Sequence, residues 1–136
     1  MIAPDSSVVI ASLAPWHEAH KPARAALLTG DTRLPAHVAF ETTSALSRMP
    51  EGHRIAPAVV LEALELGFPQ PWLTLEAAAQ RDALQRAVKA GVRGGALYDA
   101  LIAATASKHG ATLLSADRRA RGVYQAMGVE ATLIDV

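Results

Sequence analysis

The chain has 136 residues, 13 Lys+Arg against 13 Asp+Glu, no Cys, and a composition that is 51% hydrophobic but only 4% aromatic. That length suits one domain with a proper core and excludes disulfides and Cys-based zinc sites, while zero net charge excludes binding to nucleic acid through a global basic field. No apolar run approaches the roughly 18 to 20 residues of a membrane span, and Asp5 comes too early for a secretory signal, so a soluble cytoplasmic protein is expected.

Alanine accounts for 29 positions, and as the best intrinsic helix former it predicts a helix-dominated chain with few, short, buried strands. Met1–Pro4 is a short apolar segment, closed at Asp5. Ser6 and Ser7 offer caps for a helical stretch from Val8 to Leu13. Pro15 precedes a helix from about Trp16 to Leu28, with Gly30 just beyond it. Thr32–Leu34 reads as a second strand, followed by a helix from Pro35 to Arg48 that Met49-Pro50 stops. Ala56–Leu66 is helical up to Gly67. After the irregular Pro69-Gln70-Pro71, Trp72–Thr74 reads as a third strand.

Glu76–Ala90 is a long helix ended by Gly91, and Gly94-Gly95 introduces Ala96–His109, apolar over most of its circumference. Thr112–Ser115 is a fourth strand, Arg118–Met127 a last helix, and Ala131–Ile134 a fifth strand. Strands that alternate with helices need crossover connections, so the pattern predicts an α/β helix-sheet-helix sandwich on a five-stranded parallel sheet.

Carboxylates are rarely buried without a partner, so their placement is informative. Glu18, Asp31, Glu51, Glu62, Glu65, Glu76, Asp82, Glu130 and Asp135 fall on polar faces, turns or the C-terminus. Four do not. Asp5 ends the first strand, Glu41 lies in Ala39-Phe40-Glu41-Thr42, Asp117 follows the fourth strand, and Asp99 is the only charge between Ala96 and Ala106. Asp5 and Asp117 follow the carboxyl ends of strands, where open α/β sheets form their ligand crevice. If all four converge, each pair at about 5 Å repels by roughly 3 kcal/mol at an effective dielectric near 20, so protons or a cation must compensate. No Arg or Lys lies within three residues of Asp5, Glu41 or Asp99, and carboxylate oxygens suit Mg²⁺ or Mn²⁺. Hard-cation sites of this kind activate water against phosphodiesters.

These residues resemble those of PIN domains, and within that family the VapC-type toxin ribonucleases of bacterial toxin-antitoxin pairs. The resemblance spans the chain. It rests on Asp5-Ser6-Ser7-Val8-Val9-Ile10-Ala11, the helix around Glu41 and Arg48, the segment from Gly94-Gly95 through Leu97-Tyr98-Asp99-Ala100-Leu101-Ile102 to Ala106, and Leu113-Leu114-Ser115-Ala116-Asp117, in that order. It implies a PIN-like five-stranded parallel sheet and a Mg²⁺ or Mn²⁺ pocket of Asp5, Glu41, Asp99 and Asp117, with Asp5 and Asp99 as primary ligands and Ser7 and Ser115 hydrogen-bonding in support. It further implies an endoribonuclease that cuts structured RNA such as tRNA or rRNA to 5′-phosphate and 3′-hydroxyl ends. The expected partners are a second copy of the chain and an antitoxin whose C-terminal segment covers the site.

Of the 13 basic residues 10 are Arg, the better phosphate fork, and Arg118, Arg119 and, more remotely, Arg93 are candidates for RNA contact. His17 and His20 share a helix face without a third ligand, and His37, His53 and His109 form no arrangement with Ser or Asp that suggests nucleophilic catalysis. Trp16 and Trp72 read as core or subunit contacts and not as stacking platforms for RNA. A phosphoacceptor signalling domain would need an Asp after the middle strand and a Lys after the last, and has neither. A non-catalytic binding module on the same fold is the remaining alternative, and the intact set of four acids argues against it.

Overall fold

The computed structural model describes residues 1–134; Asp135, read above as an ordinary terminal acid, lies outside them. The chain runs β1 (Ile2–Pro4), α1 (Ser6–Leu13), α2 (His20–Leu27), α3 (Ala36–Ser47), α4 (Pro57–Gly67), α5 (Ala77–Lys89), α6 (Ala96–Lys108), β2 (Thr112–Ser115), a 3₁₀ turn (Arg118–Ala120), α7 (Arg121–Ala126) and β3 (Thr132–Leu133). Every helix expected from the sequence is present, with boundaries moved by a few residues. The largest shift is in α2, which begins at His20 and not near Trp16. Pro22 is the reason: lacking an N–H and clashing with the carbonyl four residues earlier, it is tolerated only in a helix's first turn. Trp16–Ala19 instead forms turns, with His17 N–H on the Ala14 carbonyl and His20 N–H on that of His17.

The sheet corrects the sequence reading. Three parallel strands pair in the order β1-β2-β3, with Ala3 opposite Leu113 and Leu114 opposite Thr132, where five were expected. The other two segments are in place but are joined by single parallel bridges only, Thr32 to Ile2 of β1 and Leu73 to Pro35 at the end of the first of these segments. Their hydrogen bonds are few: Ile2 N–H to Asp31, Arg33 N–H to Ile2, Leu73 N–H to Leu34 and Ala36 N–H to Leu73. Pro35 cannot donate, and α3 starts immediately after it, so the ladder has no length over which to grow.

Alternation along the strands divides the core. Ala3 and Leu113, paired across β1 and β2, face the main cluster with Ile102, Ala103 and Tyr124, while Leu114 faces a smaller one with Val8, Ala11, Ala19 and Ala23. Helices therefore cover both faces. α6 is the central helix; Ala100, Ile102, Ala103, Thr105 and Ala106 are buried, which accounts for its nearly all-round apolar character. The carboxyl ends of β1 and β2 lie side by side in register, Pro4 opposite Leu114, and open toward the amino-terminal turns of α1 and α6. Among the described residues no helix is long and apolar enough to cross a membrane.

Candidate active site

Asp5 stands where β1 ends and α1 begins. Its N–H donates to the Leu114 carbonyl at 2.9 Å, extending the ladder by one step, and its Oδ1 accepts from the Val8 N–H at 3.3 Å as the helix cap. This corrects the assignment of Ser6 and Ser7 as caps: both lie inside the helix. A carboxylate on the residue that follows the strand reaches the free N–H groups of the first turn, and the positive end of the helix dipole favours it. The Ser7 hydroxyl donates to the same Oδ1 and accepts from the Ala116 N–H at 2.8 Å, tying the exit of β1 to the exit of β2.

The second oxygen of Asp5 is held from across the molecule. Tyr124 on α7 donates its hydroxyl to Oδ2 at 2.6 Å, so a carboxylate only 2% exposed is satisfied on both oxygens. Burial, the charge of Asp5 and this hydrogen bond hold the Tyr124 phenol far above its ordinary range. Tyr124 was absent from the sequence-based site. A buried tyrosine hydroxyl needs a partner, but nothing near Tyr124 in the chain indicates one.

Glu41 projects from α3 and is half-buried. Its Oε1 has no hydrogen-bond partner, and neither does the buried Nε2 of His37, one turn earlier and 4.0 Å away. That distance is beyond hydrogen bonding. Burial first, then the charges of Asp99 and Asp5, push the Glu41 carboxyl up to about 7, with the Ser6 hydroxyl acting in the opposite sense. Burial also lowers the His37 imidazole, so the pair is not an ion pair at neutral pH.

Asp99 lies in the first turn of α6, brought there by Gly94, whose φ of 64° is a left-handed conformation that suits glycine. Burial, then Asp5 and Asp117, raise its carboxyl to about 6. Asp117 caps the 3₁₀ turn: its Oδ1 accepts from the Arg119 N–H at 2.9 Å and from Nε at 3.4 Å. Ser115 is fully buried and its hydroxyl accepts from the Asp117 N–H at 3.0 Å. Arg118 and Arg93 are exposed, and Arg119 is partly committed to Asp117.

The four acids thus share one electrostatic field: Glu41 senses Asp99 and Asp5, and Asp99 senses Asp5 and Asp117. Among the described residues no group of three or more His, Asp or Glu side chains has the geometry to hold a metal ion as it stands. The donor chemistry nevertheless fits a hard divalent cation. The candidate ligands are carboxylate oxygens, two have a raised proton affinity that a cation would reverse, and one of them, Glu41, presents a buried, unpartnered oxygen.

The profile of the family described as "PIN domain" matches residues 2–125. The chain belongs to the PIN-domain family. It is 44% identical over 134 residues to Ribonuclease VapC40 of Mycobacterium tuberculosis, covering 98% of this chain and 99% of the relative. It is also 34% identical over 128 residues to Ribonuclease VapC27 of the same organism, covering 94% and 93%. Among solved structures, FitAcB from Neisseria gonorrhoeae matches with a TM-score of 0.70 at 23% identity over 99% of this chain and 97% of that one. FitAB bound to IR36 DNA fragment matches with a TM-score of 0.71 at 22% identity, covering 98% and 94%. These two likenesses establish the fold of the PIN domain; the VapC relatives place the chain among the VapC-type members of the family.

Proposed function

We propose that the chain is a Mg²⁺- or Mn²⁺-dependent endoribonuclease of the VapC type, the toxin of a toxin-antitoxin pair, hydrolysing phosphodiesters in structured RNA such as tRNA or rRNA. Two relatives named as ribonucleases, matched over nearly their whole length, support the activity class. What supports the chemistry is the field that Asp5, Glu41, Asp99 and Asp117 share where β1 and β2 end: Glu41 and Asp99 are pushed up by burial first and then by the acids around them.

In this reading Asp5 and Asp99 are the primary ligands, and Glu41 and Asp117 complete the charge. A divalent cation, when bound, supplies charge neutralisation at the phosphodiester and a lowered pKa for attacking water. Asp5 is fixed by Tyr124, Ser7 and the Val8 N–H, so it brings its charge to the site without reorganisation. The free Oε1 of Glu41, on a carboxyl whose affinity for protons lies near neutrality, is suited to orient the attacking water and take its proton. Ser115 and the 3₁₀ cap hold Asp117 beside them. Arg118, Arg119 and Arg93 are the candidates for phosphate contact along the rim.

A homodimer, and an antitoxin whose C-terminal segment lies across the acids, belong to the same reading. The test is cleavage of total tRNA and rRNA by antitoxin-free protein with Mg²⁺, Mn²⁺ or chelator, beside Asp5→Asn and Asp99→Asn. Discrete cuts with 5′-phosphate ends that need the cation and vanish in both variants are expected. Folded protein that neither cuts RNA nor binds Mg²⁺ by calorimetry would overturn the reading in favour of a non-catalytic module.

A further inference from the structure

Glu41 opens into a cleft of about 510 Å³, lined on one side by a stripe of α3 and on the other by the start of α6. His37, Glu41, Ser44 and Arg48 succeed one another at helical spacing along that stripe, and Gly95 and Tyr98 face them. Its volume falls within the range of small-molecule sites. One end carries Glu41; Arg48 lies seven residues on, about 10 Å of helix rise away. Arg48 is exposed and makes no ion pair among the described residues, so its guanidinium is free for an anion.

Between these ends stands an aromatic pair. The rings of His37 and Tyr98 stack with centroids 4.9 Å apart and planes 17° from parallel. Tyr98 is nonetheless 52% exposed, and Phe40, on the rim of the same cleft, is 76% exposed. A chain with few aromatics thus leaves two of them in solvent beside the cleft that holds Glu41 and Arg48. Tyr98 adjoins Asp99 in sequence and His37 lies one turn from Glu41, so the helices that carry two of the acids also carry the stack. An exposed tyrosine ring stacked on a histidine, in one cleft with Glu41 and an unpaired arginine, matches how proteins hold unpaired nucleotides: bases stack on aromatic faces and a cation follows the backbone.

We propose that the His37–Tyr98 stack is a nucleobase platform for one unpaired RNA nucleotide flanking the scissile phosphate, with Arg48 holding a neighbouring phosphate. The assignment rests on the ribonuclease reading of the acids and deepens it: the base is taken up by its π-face, which makes the site a requirement for an unstacked nucleotide more than for a particular sequence. A duplex would not enter, since its bases are committed to their own stack.

Binding can be measured without cleavage. The probe is a fluorescent, 2′-O-methylated oligoribonucleotide in chelator, single-stranded, tested intact, as a duplex, and with an abasic site walked along it. Wild-type protein should lose roughly 5- to 150-fold in Kd when one position is abasic or when the probe is duplex, the range that single base–aromatic stacks give. Tyr98→Ala should bind the intact strand with the same loss and be indifferent to the abasic site, whereas Tyr98→Phe should restore the discrimination. Arg48→Ala should weaken all strands equally and flatten the salt dependence by about one phosphate. A flat abasic scan in the wild type, equal binding by Tyr98→Ala, or a Tyr98→Ala effect confined to oligomeric state would overturn the platform. Platform behaviour in a protein that never cleaves RNA would instead leave it standing and defeat the catalytic reading.

Discussion

The two walls of the acidic pocket are built on opposite plans. On the strand side, Asp5 is buried and receives donors on both oxygens from Ser7, Val8 and Tyr124, and Ser7 and Ser115 fasten the β2 exit beside it. On the helix side, Glu41 and Asp99 are half-buried with raised proton affinities, and Glu41 Oε1 and His37 Nε2 have no partners at all. One wall is satisfied in the protein alone; the other is left wanting a positive charge. Fixed position and unmet charge are the two properties a cation site needs, and here they are assigned to different elements.

Substitution should therefore act in opposite directions on the two walls. Asp5→Ala removes the cap of α1 and orphans the Tyr124 hydroxyl, which together cost about 2–4 kcal/mol of stability. Asp99→Asn and Glu41→Gln remove repulsion and should keep or raise the melting temperature of the cation-free protein. All three should lower RNA cleavage by more than about 100-fold, beyond the 10–100-fold typical of outer-shell changes. Melting curves in chelator beside cleavage assays check both halves; a destabilised Asp99→Asn would mean that its carboxylate is held by partners and does not repel its neighbours.

Tyr124→Phe isolates the strand wall. It leaves Asp5 Oδ2 buried without its donor at a cost of about 1–3 kcal/mol. Cleavage should fall about 10-fold through displacement of Asp5, with cation affinity reduced in step. An unchanged cation affinity with the full stability loss would make Tyr124 a core residue only.

The helix wall has a pH signature. The carboxyls of Glu41 and Asp99 rise on folding, from 4.5 to about 7 and from 3.8 to about 6. A raised carboxyl favours the folded state while protonated, so this contribution is complete below about pH 4 and is lost as pH climbs through 6 and 7. Cation-free protein should thus lose melting temperature between pH 5 and pH 8, and Glu41→Gln should lose less. Added Mg²⁺ or Mn²⁺ should reverse the slope, because binding to the ionised acids stabilises the fold most at high pH. Parallel slopes for wild type and Glu41→Gln would remove Glu41 from the cluster.

The sequence exposes the acids of both walls and hides what surrounds them, for physical reasons. Asp5, Glu41, Asp99 and Asp117 are legible because charge at a strand end or in an apolar helix violates a local expectation. Tyr124 violates none: it reaches Asp5 across 119 residues, and only the fold creates that contact. The His37–Tyr98 stack is hidden for the same reason, since α3 and α6 meet only in three dimensions. Segment order survived the passage to structure, but strand pairing at Thr32 and Leu73 did not, because apolar patterning marks a buried extended segment without counting its hydrogen bonds.

The smallest effect tests where the two walls meet. Arg119 is almost fully exposed and its Nε lies 3.4 Å from Asp117, while its backbone N–H holds the same oxygen at 2.9 Å. Arg119→Ala keeps the backbone bond, so stability should change by no more than about 0.5 kcal/mol. What it removes is, among the described residues, the one guanidinium paired with any of the four acids. Asp117 then bears more uncompensated charge, which raises the Asp99 carboxyl further and should tighten Mg²⁺ binding slightly. If Arg119 also contacts RNA, KM should rise with kcat unchanged and the salt dependence should flatten by about one phosphate. Tighter cation binding without a KM change would show Arg119 to be a screen for Asp117 alone, and phosphate grip would pass to Arg118, Arg93 and Arg48.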